Sequence, residues 1–184
     1  MLVEPTTLPG LLVVTPAIHV DERGFFFESW NEEHFNGAVG EAVHFVQDNQ
    51  SRSVKNVLRG IHFQMPYSQG KLVRVTVGSI WDVAVDLRVD SETFGHWHGL
   101  ELTAESHQQL WIPGGFGHGF VVISDEADVA YKVTNYYEPT AERSVRFDDP
   151  DLAIDWPVAN PRLSEKDEQA PWLEAALVTD DPQA

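Results

Sequence analysis

An all-β barrel or sandwich is the fold class that this sequence predicts, and three observations predict it. Short apolar runs rich in valine, isoleucine and aromatic residues recur at roughly ten-residue spacing, which is a strand rhythm. Glycine, proline, asparagine and aspartate punctuate those runs as turn formers. Helical periodicity is convincing in few places.

Taken in order, GLLVVTPAIHV (10–20) and FFFESW (25–30) read as strand segments, and NEEHFNGAV (31–39) as a short helix. HFVQDNQSRS (44–53) and NVLRGIHFQ (56–64) continue the strand pattern. In KLVRVTVGSIWDVAVDLR (71–88) the VGS turn separates two β-rich runs. Alternate valine, isoleucine and tryptophan side chains of that stretch would fill a barrel interior. WHGLELTAES (97–106), HQQLWIPGGFGHGFVVIS (107–124) and ADVAYKVTNYYEP (127–139) complete the strand set. EKDEQAPWLEAAL (165–177) reads as a helix interrupted by Pro171, and the closing TDDPQA as a disordered acidic tail. No repeat or linker divides the chain, so one domain over 1–184 is expected, its core from about 8 to 173 and its tail after about 178.

Composition narrows the function classes. Of the 184 residues 42% are hydrophobic and 11% aromatic, enough for a substantial core. Twenty-nine acidic residues against twelve basic ones give a net charge of −17, which would repel nucleic acid and anionic membrane surfaces. No apolar run approaches a membrane span, and MLVEPTTLPG lacks the basic-then-apolar pattern of a leader. The absence of cysteine removes disulfides, thiolate metal sites and cysteine nucleophiles. A soluble, cytoplasmic protein is expected. Five of the twelve basic residues, Arg52, Lys55, Arg59, Lys71 and Arg74, crowd one short stretch and are the one candidate pocket for an anion.

The segment VLRGIHFQ (57–64) sets an arginine and a histidine in an apolar strand. Strict alternation puts Leu58, Gly60 and His62 on one face and Arg59, Ile61 and Phe63 on the other. An imidazole titrates near neutral pH, which makes His62 the natural general base. Tyr131, within a later strand, could present a phenol from an opposing wall, although most isolated strand tyrosines only fill a core. Lys71 opens another strand and could set an ammonium beside a developing enolate. The pair in HWH (96–98), with His118 after PGGFG, suggests a cupin-type metal site, but Glu101 fits the usual ligand spacing poorly. On pattern alone the reading stops at a β-barrel with a possible acid–base site.

Longer motifs go further. DERGFFFESW (21–30), FVQDNQSRS (45–53), VLRGIHFQ (57–64), QGKLVRV (69–75), WDVAVDLRVDSETFGHW (81–97), QLWIPGGFGHGFVV (109–122), YKVTNYYEPTAERSVRFDDPDLAIDWP (131–157) and LSEKDEQAP (163–171) occur in order. Together they resemble the dTDP-4-dehydrorhamnose 3,5-epimerase family, from about residue 8 to 173. The resemblance implies a cupin-like jelly-roll barrel with a few short helices, working as a homodimer without metal or organic cofactor. It implies a dTDP-linked 4-keto-6-deoxy sugar as substrate, inverted at both carbons beside its ketone on the route to dTDP-L-rhamnose. By the same resemblance His62 is the base, Asp167 its carboxylate partner, Tyr131 the opposing acid and Lys71 the enolate stabiliser. Arg23, Phe26, Glu28, Gln47, Asn49, Arg59, His118, Tyr137, Glu142 and Lys166 match ligand contacts, with Tyr137 stacking on thymine. The RGFFFE segment is expected to reach across the dimer, so that Arg23 and Phe26 serve the neighbouring site. The resemblance wants both Arg59 and His62 near the ligand, and a bulge or bend at Gly60 would bring them together. The competing readings are a single-carbon epimerase, a metal-dependent cupin using His62, His96, His98 and His118, and a non-catalytic sugar-nucleotide binding module.

Overall fold

The structure, a computed structural model, describes residues 1–178; the TDDPQA segment expected to be a tail lies outside the described residues. Strand β1 (Leu2–Pro5) pairs antiparallel with β2 (Leu12–Thr15). Pro16 has no amide hydrogen to give a ladder, and the apolar run 10–20 breaks beside it. The chain leaves the sheet there, and β3 (Ile18–Asp21) forms a hairpin with β4 (Gly24–Phe27). Helix α1 (Glu32–Val39) starts where the Asn31 side chain accepts the His34 amide at 3.0 Å, and ends at Gly40 with φ +83°. Strands β5 (Gln47–Val54), β6 (Leu58–Gln64), β7 (Lys71–Val77) and β8 (Ser79–Asp86) follow, the last two joined at Gly78. Then come β9 (Trp97–Thr103), β10 (Gln109–Ile112), β11 (Phe116–Val122), β12 (Glu126–Val133) and β13 (Glu142–Ser144). Pro171 separates α2 (Glu165–Glu168) from α3 (Leu173–Ala176), as the sequence predicts.

The strands form a six-stranded sheet, β1-β2-β10-β7-β12-β5, and a five-stranded sheet, β13-β6-β11-β8-β9. From β5 onward successive strands alternate between the sheets except at the β8–β9 hairpin, so the fold is an all-β jelly roll of two open, facing sheets. Val73, Val75, Leu110, Ile112 and Val129 of the first sheet meet Ile80, Ala84, Leu102, Phe116 and Phe120 of the second. That interface is the main core, and every one of those side chains is buried.

Two smaller cores cover the outer faces. Ile61, Phe63, Val83 and Val85 lie beneath Leu152, Leu173 and Ala176, so the C-terminal segment packs on the five-stranded sheet. Trp81 belongs to this outer layer, not to the barrel interior that the sequence suggests for it. The reason is that β8 is covered on both faces, so its whole apolar run is used rather than alternate residues. On the far sheet, Phe35 of α1 inserts among Val14, Leu72 and Trp111. Its ring centroid lies 5.0 Å from Trp30 and 5.5 Å from Trp111.

Strands β1 and β13 were not expected from the sequence. Each is a short edge strand, β1 carrying only two apolar residues before Glu4 and Pro5 and β13 none, and forms because a neighbour leaves backbone groups unpaired. Phe35→Ala should lower stability by about 3–5 kcal/mol in urea denaturation, since a fully buried aromatic anchor is lost.

Candidate active site

A cleft of about 340 Å³ opens between the two sheets. Gln47, Asn49, Lys71 and Tyr131 line it from β5, β7 and β12 of one sheet. Arg59, His62, His118 and Glu142 line it from β6, β11 and β13 of the other, and Tyr137 joins from the segment between β12 and β13.

Strand β6 reaches the cleft with both Arg59 and His62 because its alternation is broken at Gly60. His62 pairs with His118 on β11, but Arg59 pairs with Phe120, so three steps on β6 oppose two on β11. The extra residue is accommodated at φ +117°, where a side chain is strained. A Cβ at Gly60 would also sit 2.6 Å from both the Gly119 Cα and the His118 carbonyl oxygen. The irregularity expected at Gly60 is therefore present as a bulge, and Ile61 packs into the outer core together with Phe63, which also borders the cleft.

His62 is joined to a carboxylate from the C-terminal segment. Its Nε2 lies 2.6 Å from Oδ1 of Asp167, which is 4% exposed. An ionised carboxylate only accepts, so Nε2 is the donor in this pair, and in a neutral imidazole the lone pair is then on Nδ1. Burial pushes the Asp167 carboxyl up, yet the His62 and Ser164 hydrogen bonds outweigh it and hold the group below its ordinary value. The ionised form is the one that orients the imidazole.

Across the cleft, Tyr131 shows no hydrogen bond to its hydroxyl among the described residues, which is not how a tyrosine tied into a core behaves. Burial, opposed by Arg59 and aided by Glu142, raises its phenol above the usual range, so the O–H remains a proton donor at neutral pH. Lys71 is 6% exposed and makes no salt bridge among the described residues. Burial without a counter-ion pulls its ammonium down to about 8. An unpaired cation in this position favours whatever negative charge forms beside it.

These features match a known family along almost the whole chain. A family model described as dTDP-4-dehydrorhamnose 3,5-epimerase matches residues 5–175. The chain belongs to that family. The dTDP-4-dehydrorhamnose 3,5-epimerase of Salmonella typhimurium is 52% identical over 182 residues, covering 98% of this chain and 100% of the relative. A dTDP-6-deoxy-D-glucose-3,5-epimerase from Legionella pneumophila, solved with dTDP-4-keto-L-rhamnose, superposes with a TM-score of 0.91 at 49% identity, covering 94% and 92% of the two chains. A dTDP-4-dehydrorhamnose 3-epimerase from Streptomyces niveus is more distant, at 41% identity over 92% of this chain and 83% of its own length.

Within this epimerase-family fold, eleven of the fourteen side chains singled out from sequence gather at the cleft or against it. Lys166 reaches it indirectly, through an ion pair of 2.6 Å to Glu142, which also accepts the Tyr137 hydroxyl at 2.9 Å. Gln47 holds the same region, its Oε1 accepting the Tyr137 amide at 3.2 Å and its Nε2 donating to Asn49 at 2.8 Å. Arg23, Phe26 and Glu28 are not brought in. They lie on or beside the β3–β4 hairpin, where Arg23 pairs with Asp21 and Glu28 with His34.

The basic stretch does not act as one patch. Strand alternation sends Arg52 outward to Asp128 and Arg74 to the opposite face of its sheet, while Lys55 faces Asp125. Only Arg59 and Lys71 of the five point into the cleft. The HWH pair does not assemble either: His98 bonds the Thr7 side chain at 3.0 Å. Among the described residues no three histidines or carboxylates are placed to hold a metal ion.

Sequence reasoning missed Asp82, fully buried on β8 and within 3.0 Å of the His118 Nε2, because it reads as an ordinary strand aspartate. Its position opposite Phe120 in the β8–β11 register follows only from the sheet pairing. The depressed Asp167 carboxyl carries a testable consequence. Stability from this contact is complete above about pH 4, the unfolded value, and is lost as pH falls through the lower folded value. Asp167→Asn should therefore show a shallower acid-side loss of stability than the parent protein in urea titrations; equal slopes would show that the contact contributes nothing.

Proposed function

We propose that this protein inverts both carbons flanking the ketone of dTDP-4-dehydro-6-deoxy-D-glucose, giving dTDP-4-dehydro-L-rhamnose for dTDP-L-rhamnose formation. The observation that carries this reading is a base and an acid on opposite walls. His62, held by Asp167 of α2, stands on the five-stranded sheet and Tyr131 on the six-stranded one.

A proton beside a ketone is acidic because the remaining electron pair delocalises onto the carbonyl oxygen. His62 Nδ1 takes that proton, and the imidazolium formed is stabilised by ionised Asp167. The electron pair moves to the ketone oxygen as an enolate, beside the Lys71 ammonium. The Tyr131 phenol then gives its proton to the opposite face of the same carbon, and the enolate collapses to the inverted ketone. Exchange with solvent returns a proton to the tyrosine and removes one from the histidine. Protons and electrons balance without a metal or organic cofactor.

Arg59 suits a diphosphate, since a guanidinium pairs with two phosphate oxygens. Its Nε is held by the Ser53 hydroxyl at 3.0 Å, which fixes the direction of the fork. Tyr137, steadied by Glu142 and Gln47, offers an exposed ring for the thymine. None of the helices among the described residues is long and apolar enough to cross a membrane, and a cytoplasmic location fits a nucleotide-sugar substrate.

A homodimer with segment exchange completes the reading. The β3–β4 hairpin exposes Val20 at 77%, Phe25 at 60% and Phe26 at 72%, a heavy apolar load for a free hairpin. Strand β5, which carries Gln47 and Asn49 into the cleft, is the edge of its sheet. A second copy's hairpin laid along that edge would satisfy β5 and deliver Arg23, Phe26 and Glu28 to the cleft.

Turnover of the keto sugar in deuterated water should place label at both ring carbons, read by mass and proton spectra; label at one carbon would identify a single-carbon epimerase. For the dimer, Arg23→Ala and His62→Ala chains, each weakly active alone, should regain about a quarter of parent activity when unfolded together and refolded, because one site in each mixed dimer is then complete. Recovery no greater than the sum of the parts would place Arg23 in the site of its own chain or in neither.

A further inference from the structure

Asp167 has two carboxylate oxygens, and the protein assigns each a different donor. Oδ1 accepts from His62 Nε2 at 2.6 Å, and Oδ2 accepts from the Ser164 hydroxyl at 2.8 Å. We infer that Ser164 is a positioning residue for the catalytic base, acting through Asp167. This inference rests on the proposed role of His62.

The hydroxyl is aimed rather than free. Its oxygen accepts the Asp167 backbone amide at 3.2 Å, as the N-cap of α2. With an amide on its acceptor side, its own proton falls on the Oδ2 of the same residue. One serine oxygen thus fixes both the backbone and the side chain of Asp167. A carboxylate held at one oxygen can swing about its χ2 bond; held at both, it keeps a fixed plane toward the imidazole.

Ser164 is itself placed by the strand that carries the base. Two residues upstream, the Arg162 amide donates to the Asn56 carbonyl at 2.7 Å, and the Arg162 carbonyl accepts the Leu58 amide at 3.0 Å. Strand β6 begins at Leu58 and bears His62, so histidine and carboxylate are set from one strand. Lys166, in the same short helix, is turned away to Glu142 and does not compete for Asp167 in this arrangement. Ser164 does not line the cleft, so it has no direct part in binding the sugar nucleotide.

Three substitutions separate capping from aiming. Ser164→Thr keeps both the acceptor and the hydroxyl proton. Ser164→Asp keeps a good cap but has no proton to give and sets a second carboxylate against Asp167. Ser164→Ala loses both. With His62→Ala as control, kcat, KM and deuterium uptake are measured on the keto sugar across pH. Expected are a roughly tenfold to hundredfold fall in kcat for the Asp and Ala variants, the size of one lost hydrogen bond to a charged acceptor, with KM nearly unchanged. The Thr variant should stay within about twofold of the parent, and the Asp variant should move the acid limb of the profile to higher pH. Parent-like kcat in Ser164→Asp, with His62→Ala inactive, would show that capping alone matters and would overturn this inference only. Parent-like turnover in His62→Ala would overturn the base assignment and this inference together.

Discussion

The hydrogen bond between His62 and Asp167 joins residues 105 apart in the chain, and much of the site is arranged to make it. Its histidine end needs a strand that presents two polar residues three positions apart, and so of opposite parity, to one cleft. The bulge at Gly60 provides that, and it exists only because Gly119 faces it with no side chain. Its carboxylate end needs a C-terminal segment that returns to the same sheet. Leu152, Leu173 and Ala176 bring it back by packing on Ile61 and Val83, the outward-facing neighbours of the residues that line the cleft. One strand therefore works on both faces, with the cleft on one side and the anchor of its partner on the other.

Charge is handled locally. A chain of net charge −17 repels a nucleotide sugar at long range, and the cleft contains few cations to oppose that. What the cleft has instead is cations without counter-ions. Lys71 lacks a carboxylate partner among the described residues, and Arg59 is held by a neutral serine. By contrast, Arg52, Arg88 and Arg146, all outside the cleft, are each neutralised by an aspartate. An unpaired buried cation is unfavourable in the empty protein, so ligand charge meets a site already lacking its counterpart.

Much of this was legible in the sequence. Spacing and turn residues predict most of the strands, α1, and the break at Pro171, because those follow from local chemistry. The need for an irregularity at Gly60 was legible too, since alternation and the ligand could not otherwise agree. Three things were not. Strands β1 and β13 depend on edges created elsewhere in the fold. The division of the basic residues between cleft and outer surface depends on which face of each sheet is covered. Asp82 meets His118 only in the assembled sheet, and the local Ser164–Asp167 contact gains its bearing on His62 only once the C-terminal segment docks. The hairpin residues Arg23, Phe26 and Glu28 are a different case: one chain alone does not bring them to its own cleft.

The order of the chain adds a consequence for its synthesis. Both sheets have all their strands once Ser144 has left the ribosome, yet the carboxylate partner of His62 comes more than twenty residues later. The nascent chain can thus assemble its strands, its bulge and its Arg59 fork while the imidazole still lacks its fixed tautomer. Completion of the strands and pairing of His62 with Asp167 are separable in time, because the second waits for a segment made after the last strand.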